Sequence, residues 1–182
     1  LGMVDTGFHV PETKIDRLST LYRPNPATGE LEVSDPAEGG AWSRPPAFAS
    51  GAAGLASTAA DLHAFGRMML NGSRHDTGQL LSDALFEEMT TNTLTPEQKA
   101  AGTFFPGFWN AWGWGLGLGV VTLEGGIPSG GTVGWLGGTS TALISDPDEG
   151  LVAVLLFQVN DPLWFGPVFG SFLANLYPAL GA

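Results

Sequence analysis

The sequence predicts an α+β fold in which an antiparallel sheet is flanked by helices. Four segments in the second half of the chain have the length and composition of strands, and turn-forming Gly, Pro and Asp residues separate them. Amphipathic helical patterns precede and follow these segments. Consecutive strands joined by short turns pair antiparallel, and helices outside such a run pack on the faces of the sheet.

Residues 1–110 are predicted to form loops and helices. The turn residues at 23–30, Arg-Pro-Asn-Pro-Ala-Thr-Gly-Glu, separate two short extended pieces at 15–22 and 31–33 and indicate a small hairpin. The Pro and Gly residues between positions 34 and 50 then favour a surface loop.

The strongest helix pattern lies between residues 58 and 70. Ser57 or Thr58 can cap its first turn, where the carboxylate of Asp61 suits the helix dipole. The apolar residues that share one face are Leu62, Phe65, Met69 and Leu70. The Asn-Gly pair at 71–72 is a typical helix end.

Three further helices are predicted. Two short ones begin near Ser82 and at Pro96, and the second has Thr95 and Gln98 placed as a capping box. An apolar helical pattern after Pro167 predicts a C-terminal helix that lies across one face of the sheet.

The four predicted strands cover residues 112–121, 132–136, 139–145 and 151–159. In the first, bulky residues alternate with glycine, so one face is nearly bare and invites close packing. The last is almost wholly apolar, which indicates a strand covered on both faces. The Asp-Pro-Asp-Glu-Gly sequence at 146–150 predicts the turn before it. The meander and the C-terminal helix together make up residues 111–182.

Six aromatic residues near the first of these strands form a predicted cluster. They are Phe104, Phe105, Phe108, Trp109, Trp112 and Trp114. Two interpretations are open: the cluster belongs to the core, which we favour, or it lines an apolar cleft for a substrate.

Composition excludes several classes of function. The formal charge of −11, with seven scattered Lys and Arg residues, argues against nucleic acid as a partner. The absence of cysteine excludes disulfides, thiolate metal sites and a cysteine nucleophile, and it is compatible with a cytoplasmic, periplasmic or secreted protein. No apolar run approaches the roughly 18 residues of a membrane span, so no transmembrane segment is predicted.

No cofactor or metal is predicted. His9, His63 and His75 stand far apart without a companion ligand at metal spacing. His63, on the strongest helix pattern, is interpreted as a partly exposed surface residue.

Gly137 and Gly138 stand between the second and third predicted strands, and two interpretations are open. The pair forms a bulge or a tight corner, as spacing alone favours. Alternatively, a backbone N–H at this strand end faces a developing oxyanion.

Four segments, in the same order, resemble landmarks of the serine β-lactamase-like superfamily. They are LGMVDTGF at 1–8, SGAAGLASTAADLHAFGRMMLNG at 50–72, AWGWGLGLGV at 111–120 and GWLGGTSTALISDP at 134–147. The most similar members are class C β-lactamases, D-alanyl-D-alanine carboxypeptidases and family VIII carboxylesterases. The resemblance implies a β-lactamase/transpeptidase-like fold and a serine hydrolase that acts on a small-molecule ester or amide through an acyl-enzyme.

The resemblance also implies roles for individual residues. Family members line the cleft with a strand motif, Lys-Thr-Gly or, in many esterases, Trp-x-Gly, and Trp135, Leu136 and Gly137 stand at that position as substrate-binding residues. Gly138 would lend its N–H to the oxyanion hole, and Ala53 in the second landmark would be a further substrate-binding residue. Loss of the Lys and Thr favours uncharged esters over β-lactams.

The nucleophile and base of the family are absent from this sequence. They belong to Ser-x-x-Lys and Tyr-x-Asn motifs, but neither Lys14 nor Lys99 follows a serine at that spacing, and neither Tyr22 nor Tyr177 begins the second motif. Both motifs come earlier in the family. Residues 1–182 are therefore expected to be a single C-terminal segment of a hydrolase domain whose N-terminal part is missing, and to be inactive alone.

Two hypotheses of function follow. We favour the C-terminal part of a serine hydrolase. The alternative is a non-catalytic β-lactamase-like module that binds a partner or small ligand through the aromatic cluster. In the resembled fold the apolar strand at 151–159 pairs with strands of the N-terminal part, so here it is expected to have an open edge that a retained N-terminal fragment, a second copy or a helix covers.

Overall fold

A computed structural model describes residues 1–102 and 107–181 of the chain. Its main element is a five-stranded sheet in which every strand pairs antiparallel with the next one in sequence. Two separate two-stranded sheets precede it, within the part predicted as loops and helices. The predicted α+β class, with an antiparallel sheet flanked by helices, is confirmed. Phe104 and Phe105 lie outside the described residues.

The strands are β1 (Leu21–Pro24), β2 (Leu31–Asp35), β3 (Arg74–His75), β4 (Gly78–Gln79), β5 (Trp112–Trp114), β6 (Gly119–Val121), β7 (Val133–Gly137), β8 (Thr141–Asp146) and β9 (Leu151–Leu156). The helices are α1 (Ala59–Leu70), α2 (Asp83–Thr90), α3 (Pro96–Ala101) and α4 (Pro162–Leu180), with 3-10 helices at Glu12–Arg17, Ala41–Ser43 and Phe108–Asn110. Of the helices that the structure describes, none has both the length and the apolar character needed to cross a membrane.

The segment predicted as one strand, residues 112–121, instead folds back on itself as the β5–β6 hairpin. The two strands pair along their whole length. At the reversal, the Gly115 N–H donates to the Leu118 carbonyl at 2.9 Å, and Gly117 has a φ of +86°, which glycine adopts at little cost. The alternating pattern concealed this turn because every second residue is already glycine.

The remaining strand predictions are confirmed with shifts of a few residues at the ends. The C-terminal helix begins earlier than predicted, and Pro167 lies inside it. The reason is the cap at Asp161, whose carboxylate accepts a hydrogen bond from the Leu163 N–H at 2.9 Å. The capping box of Thr95 and Gln98 in α3 is confirmed.

Helix α1 approaches one face of the sheet through Gly66. A Cβ at this position would lie 2.4 Å from a methyl carbon of Val152, so the approach requires glycine. The Ser145 hydroxyl donates to the Gly66 carbonyl at 3.2 Å. The prediction of which α1 residues face the sheet is therefore partly wrong. Phe65 is 37% exposed, and the neighbouring Gly66 contacts the sheet instead.

Apolar clusters cover both faces of the sheet. The residues buried on the α1 side are Met68, Met69, Val120 and Val133. The residues buried on the α4 side are Ala142, Ile144, Ala153, Phe169 and Leu173. This two-sided burial explains why the last strand is apolar throughout, as predicted.

The segment after α2 covers the outer edge of β5. The Thr93 N–H donates to the Trp114 carbonyl at 2.8 Å, and the Trp114 N–H donates to Asn92 Oδ1 at 3.0 Å. A Cβ on Gly113 would lie 2.2 Å from the same Oδ1. The nearly bare face of this strand thus permits close packing, as predicted.

The hairpin predicted between residues 15 and 33 is formed by β1 and β2, while the piece before it is the 3-10 helix Glu12–Arg17. The Tyr22 N–H donates to the Gln158 carbonyl and the Asn160 N–H donates to the Tyr22 carbonyl, both at 2.8 Å. These bonds attach the hairpin to the chain just beyond the end of β9.

The carboxylate of Asp146 joins three parts of the chain at the end of β8. It accepts hydrogen bonds from the Tyr177 hydroxyl of α4 at 2.5 Å and from the Ser129 N–H at 3.0 Å. The N–H groups of Asp148 and Glu149, in the turn before β9, donate at 3.1 and 3.3 Å. Burial raises the pKa of Asp146, but these hydrogen bonds outweigh it and hold the pKa below its ordinary value.

Asp146→Asn is expected to lower the free energy of unfolding at neutral pH by about 1.5–3 kcal/mol, the range for hydrogen bonds to a charged group. Since the folded-state pKa lies below the unfolded one, the stabilisation is present above the unfolded value of about 3.9 and is lost as pH falls through the folded value. The difference between wild type and variant should shrink below about pH 4. Urea denaturation followed by tryptophan fluorescence measures it.

Asp148→Asn is the matched control, because this carboxyl group belongs to an exposed residue of the same turn. It should change stability little at any pH. A loss for Asp146→Asn that is equal in acid and at neutral pH would contradict the assignment.

Candidate functional site

The end of β7 carries most of the predicted site residues. Strand β6 pairs with β7 only at Val133 and Gly134. From Trp135 to Gly137, β7 pairs with β8 on one side, and no strand of the described part of the chain lies on the other side. No described strand therefore covers this edge at the end of β7.

The backbone N–H of Gly138 is directed away from β8, toward that edge. The Ser140 N–H donates to the Gly137 carbonyl at 3.0 Å, so this carbonyl faces β8. In a trans peptide, the carbonyl and the following N–H point in opposite directions, and the only cis peptide among the described residues is Ile127-Pro128. Gly138 is exposed, and no hydrogen bond between described residues uses its N–H.

Packing accounts for the first glycine of the pair but not for the second. A Cβ on Gly137 would lie 2.3 Å from Thr141 Oγ1, its partner across the corner. A Cβ on Gly138 would have no neighbour within 4 Å. The tight corner thus explains Gly137, and the steric argument leaves Gly138 unexplained.

Trp135 packs against two members of the aromatic cluster. Its ring centroid lies 4.4 Å from that of Trp114 and 6.1 Å from that of Phe108, edge-on in both cases. Phe108 stacks on Trp112 at 6.3 Å. Phe108 is buried, whereas the three tryptophans are half-buried. The burial of Phe108 agrees with the core interpretation, and the cleft interpretation of the cluster stays a prediction.

The other two predicted site residues lie apart from this edge. Leu136 packs against the buried cluster beneath α4. Ala53 is exposed in the loop before α1, and no hydrogen bond of the described residues joins it to β7. Contact of either residue with a substrate stays a prediction.

Sequence reasoning missed a buried carboxylate network at the start of α1. Asp61 is 7% exposed, and its carboxylate accepts hydrogen bonds from the Asp5 N–H at 2.9 Å and the Thr6 hydroxyl at 2.8 Å. The Ser57 and Thr6 hydroxyl oxygens lie 2.8 Å apart. This network ties the segment 1–8 to α1. The helix dipole accounted for Asp61 in the first turn, but nothing in the spacing indicated its distant partners.

A cavity of about 190 Å³ lies beside this network. Lys14 and Arg17 line it, and both bind the carboxylate of Asp5. Their hydrogen bonds, from Lys14 first and then from Arg17, hold the pKa of Asp5 below its ordinary value. The two cations are therefore paired within the cavity wall.

Within residues 1–102 and 107–181, no group of three or more His, Asp or Glu side chains is placed to hold a metal ion. His63 is exposed on α1, which agrees with its interpretation as a surface residue.

Comparison with protein families matches residues 1–168 to the family described as Beta-lactamase. Two proteins from Mycobacterium tuberculosis, Protein Rv1367c (strain ATCC 25618 / H37Rv) and Uncharacterized protein MT1414 (strain CDC 1551 / Oshkosh), are each 35% identical to the chain over 165 residues. The alignments cover 86% of this chain and 40% of each relative, so the chain spans less than half the length of these proteins.

Solved structures share the fold. The LovD6 mutant of simvastatin synthase from Aspergillus terreus has a TM-score of 0.73 and 18% identity, covering 99% of this chain and 48% of that one. EstCE1, described as a hydrolase with promiscuous acyltransferase activity, has a TM-score of 0.59 and 21% identity over 85% of this chain and 42% of its own. A penicillin-binding protein homolog from Caulobacter crescentus has a TM-score of 0.54 and 19% identity, over 86% and 45%.

The resemblance read from four separate segments is thus supported along nearly the whole chain, by a family match and by structures that share its arrangement of helices and sheet. The chain belongs to the Beta-lactamase family and has a β-lactamase-like fold.

Proposed function

We propose that this chain is the C-terminal part of a serine hydrolase of the β-lactamase type, which acts on small-molecule esters or amides through an acyl-enzyme. The observation that carries the proposal is the Gly138 N–H at the end of β7, which points away from β8 and has no hydrogen-bond partner among the described residues. An N–H held in this way can stabilise the negative charge that develops on a substrate carbonyl oxygen.

Each residue of the edge has a distinct proposed role. Gly138 supplies one donor of an oxyanion hole, and its peptide is held in place by the hydrogen bond from Ser140 to Gly137. Trp135, half-buried against Trp114, forms an apolar wall for the acyl group. Leu136, Gly137 and Ala53 complete the proposed substrate-binding set, as the family resemblance implies.

The proposed substrates are uncharged. Trp135 and Leu136 stand where β-lactamases have Lys and Thr, and a cleft without that cation offers nothing to pair with a substrate carboxylate. The name of one structural neighbour, a hydrolase with promiscuous acyltransferase activity, is consistent with acyl transfer.

The alternative function is a non-catalytic module that binds through the aromatic cluster. One observation favours it: the rings of Trp114 and Trp135 are half-buried and meet edge-on, with 4.4 Å between their centroids. This alternative requires that the gene encode no Ser-x-x-Lys and Tyr-x-Asn motifs ahead of this chain, so the upstream reading frame separates the two hypotheses.

A second part of the proposal concerns β9. Within the described residues it pairs with β8 on one side only, and positions 151–157 contain no charged residue. Leu156 and Phe157 are 45% and 39% exposed. An apolar strand with a free edge is a template for further pairing, and we propose that an N-terminal portion or a second copy occupies it.

The chain alone is expected to leave short-chain p-nitrophenyl esters and chromogenic cephalosporins unhydrolysed. An oxyanion donor without a nucleophile stabilises a charge that never forms. Absorbance assays measure hydrolysis, and intact-mass analysis after treatment with a fluorophosphonate probe shows whether a serine of this chain is labelled. Turnover that the probe abolishes by labelling a serine of this chain would contradict the proposal.

In the complete enzyme, formed with the segment that carries the Ser-x-x-Lys and Tyr-x-Asn motifs, Gly138→Pro should lower kcat roughly 10²- to 10³-fold, as loss of one oxyanion donor does. Proline removes the N–H, and the position after Gly137 in this hairpin loop is one that commonly accepts proline. Steady-state kinetics on one ester measures the effect.

Gly138→Ala is the matched control. It keeps the N–H, and its methyl group would meet no atom within 4 Å, so kcat should stay close to that of the wild type. Equal losses in the two variants would indicate that the corner tolerates no side chain and that the N–H has no special role.

The purified chain is expected to associate rather than remain monomeric. Leu156→Lys should shift it toward the monomer, because a charge on the free edge of β9 opposes pairing. Leu163→Lys, at a residue 84% exposed on α4, is the control and should leave the association unchanged. Light scattering with intact-mass analysis measures both. A single cooperatively folded 19.0 kDa monomer at high concentration would refute the open edge.

A further inference from the structure

The cavity at the start of α1 has both cationic and apolar walls. Its volume is about 190 Å³, below the roughly 300–1,000 Å³ of sites for drug-sized ligands, so its ligand is a small molecule. Two cationic side chains and several apolar ones line it, among them Lys14, Arg17, Val4, Val10 and Leu18. A ligand that matches both kinds of wall has one polar end and a short apolar chain.

The charge of the wall favours an anion. Among the described residues that line the cavity, Asp5 is the only acid, and it pairs with two cations. Glu12 and Asp16 belong to the same 3-10 helix as these cations but do not line the cavity. The wall therefore has one positive charge in excess, and a monoanion balances it.

Lys14 and Arg17 already bind one carboxylate and keep donors for a second. Lys14 Nζ donates to Asp5 Oδ1, and Arg17 Nη1 donates to Asp5 Oδ2 at 2.9 Å. An ammonium group has three N–H donors and a guanidinium group has five. Within the described residues no hydrogen bond uses Nε or Nη2 of Arg17, and these two nitrogens form one edge that matches both oxygens of a carboxylate.

The hydroxyl groups of the wall use their protons among themselves. The Thr6 hydroxyl donates to the buried carboxylate of Asp61 at 2.8 Å. The Ser57 hydroxyl oxygen lies 2.8 Å from that of Thr6, so Ser57 donates to Thr6. Asp61 does not line the cavity. An anion in the cavity therefore depends on the two cations for its hydrogen bonds.

We propose that this cavity binds a short-chain aliphatic monocarboxylate, such as butyrate. Lys14 and Arg17 bind its carboxylate. Its alkyl chain packs against Val4, Val10 and Leu18. The inference does not depend on the proposed function, because no residue at the end of β7 lines this cavity.

The test is a titration of the whole 182-residue chain with sodium butyrate, followed by methyl NMR at constant ionic strength. The signals of Val10 and Leu18 should shift saturably, with a Kd on the order of 1 mM for a ligand of this size. Those of Leu163, 84% exposed on α4, should not shift. Butylammonium has the same chain and the opposite charge, and it should not bind. Inorganic phosphate has no apolar part and should bind more weakly than butyrate.

Arg17→Gln should weaken butyrate binding about 10-fold or more, because it removes charge-assisted hydrogen bonds. Arg17 is half exposed, so the variant should fold. The matched control is Arg23→Gln, which also removes an exposed arginine paired with a carboxylate, that of Glu32, but lies outside the cavity wall. Its Kd for butyrate should equal that of the wild type.

Asp5→Asn separates a binding site from a purely structural ion pair. It should lower the Tm, because both ion pairs are lost, and yet tighten butyrate binding, because Lys14 and Arg17 no longer share a carboxylate. A lower Tm with unchanged or weaker binding would mean that these three residues serve stability alone, and would overturn the inference.

Three further results would also overturn it. They are the absence of saturable shifts with butyrate at millimolar concentrations, equal binding of butylammonium, and equal losses in Arg17→Gln and Arg23→Gln. Phosphate that binds as tightly as butyrate would show that the apolar wall takes no part, and the proposed class of ligand would be wrong.

Discussion

The hydrogen bond from the Ser140 N–H to the Gly137 carbonyl determines how the end of β7 is built. Because the peptide group is planar and trans, this one bond sets the direction of the Gly138 N–H as well. A slip of one residue between β7 and β8 would break this hydrogen bond and turn the side chains of the slipped strand to the opposite face of the sheet. The candidate site therefore depends on the register of the hairpin more than on any side chain within it.

That register is held by packing on both faces of the sheet. On one face, α1 comes close enough through Gly66 for the Ser145 hydroxyl to bond its carbonyl, so α1 is fixed relative to β8. On the other face, α4 buries Ile144 and binds Asp146 through Tyr177. Backbone donors carried by a strand that is packed in this way are positioned before a substrate arrives, which is the requirement for stabilising charge in a transition state.

Much of this architecture could be predicted from local patterns. The caps of α1 and α3, the turn at 146–150 and the apolar β9 depend on neighbouring residues, and each was readable from spacing. The β5–β6 reversal was not, because an alternating glycine pattern suits a long strand and a hairpin equally well. The contact face of α1 was misjudged because a glycine that fits against Val152 has no hydrophobic signal. The Asp61 network depends on contacts between residues far apart in sequence, which local patterns do not show. The positive φ of Ser140 is likewise not visible in the sequence.

The order of elements along the chain has a consequence for synthesis. Helix α4 follows the whole sheet, so during translation Ile144 and Ala153 leave the ribosome before Phe169 and the helix that buries them. At about 5–20 residues per second, an apolar sheet face stays uncovered for a period on the order of seconds. During that interval the nascent chain exposes an apolar surface to chaperones and to neighbouring nascent chains. The hydrogen bond from Tyr177 to Asp146 can form only after α4 has been synthesised.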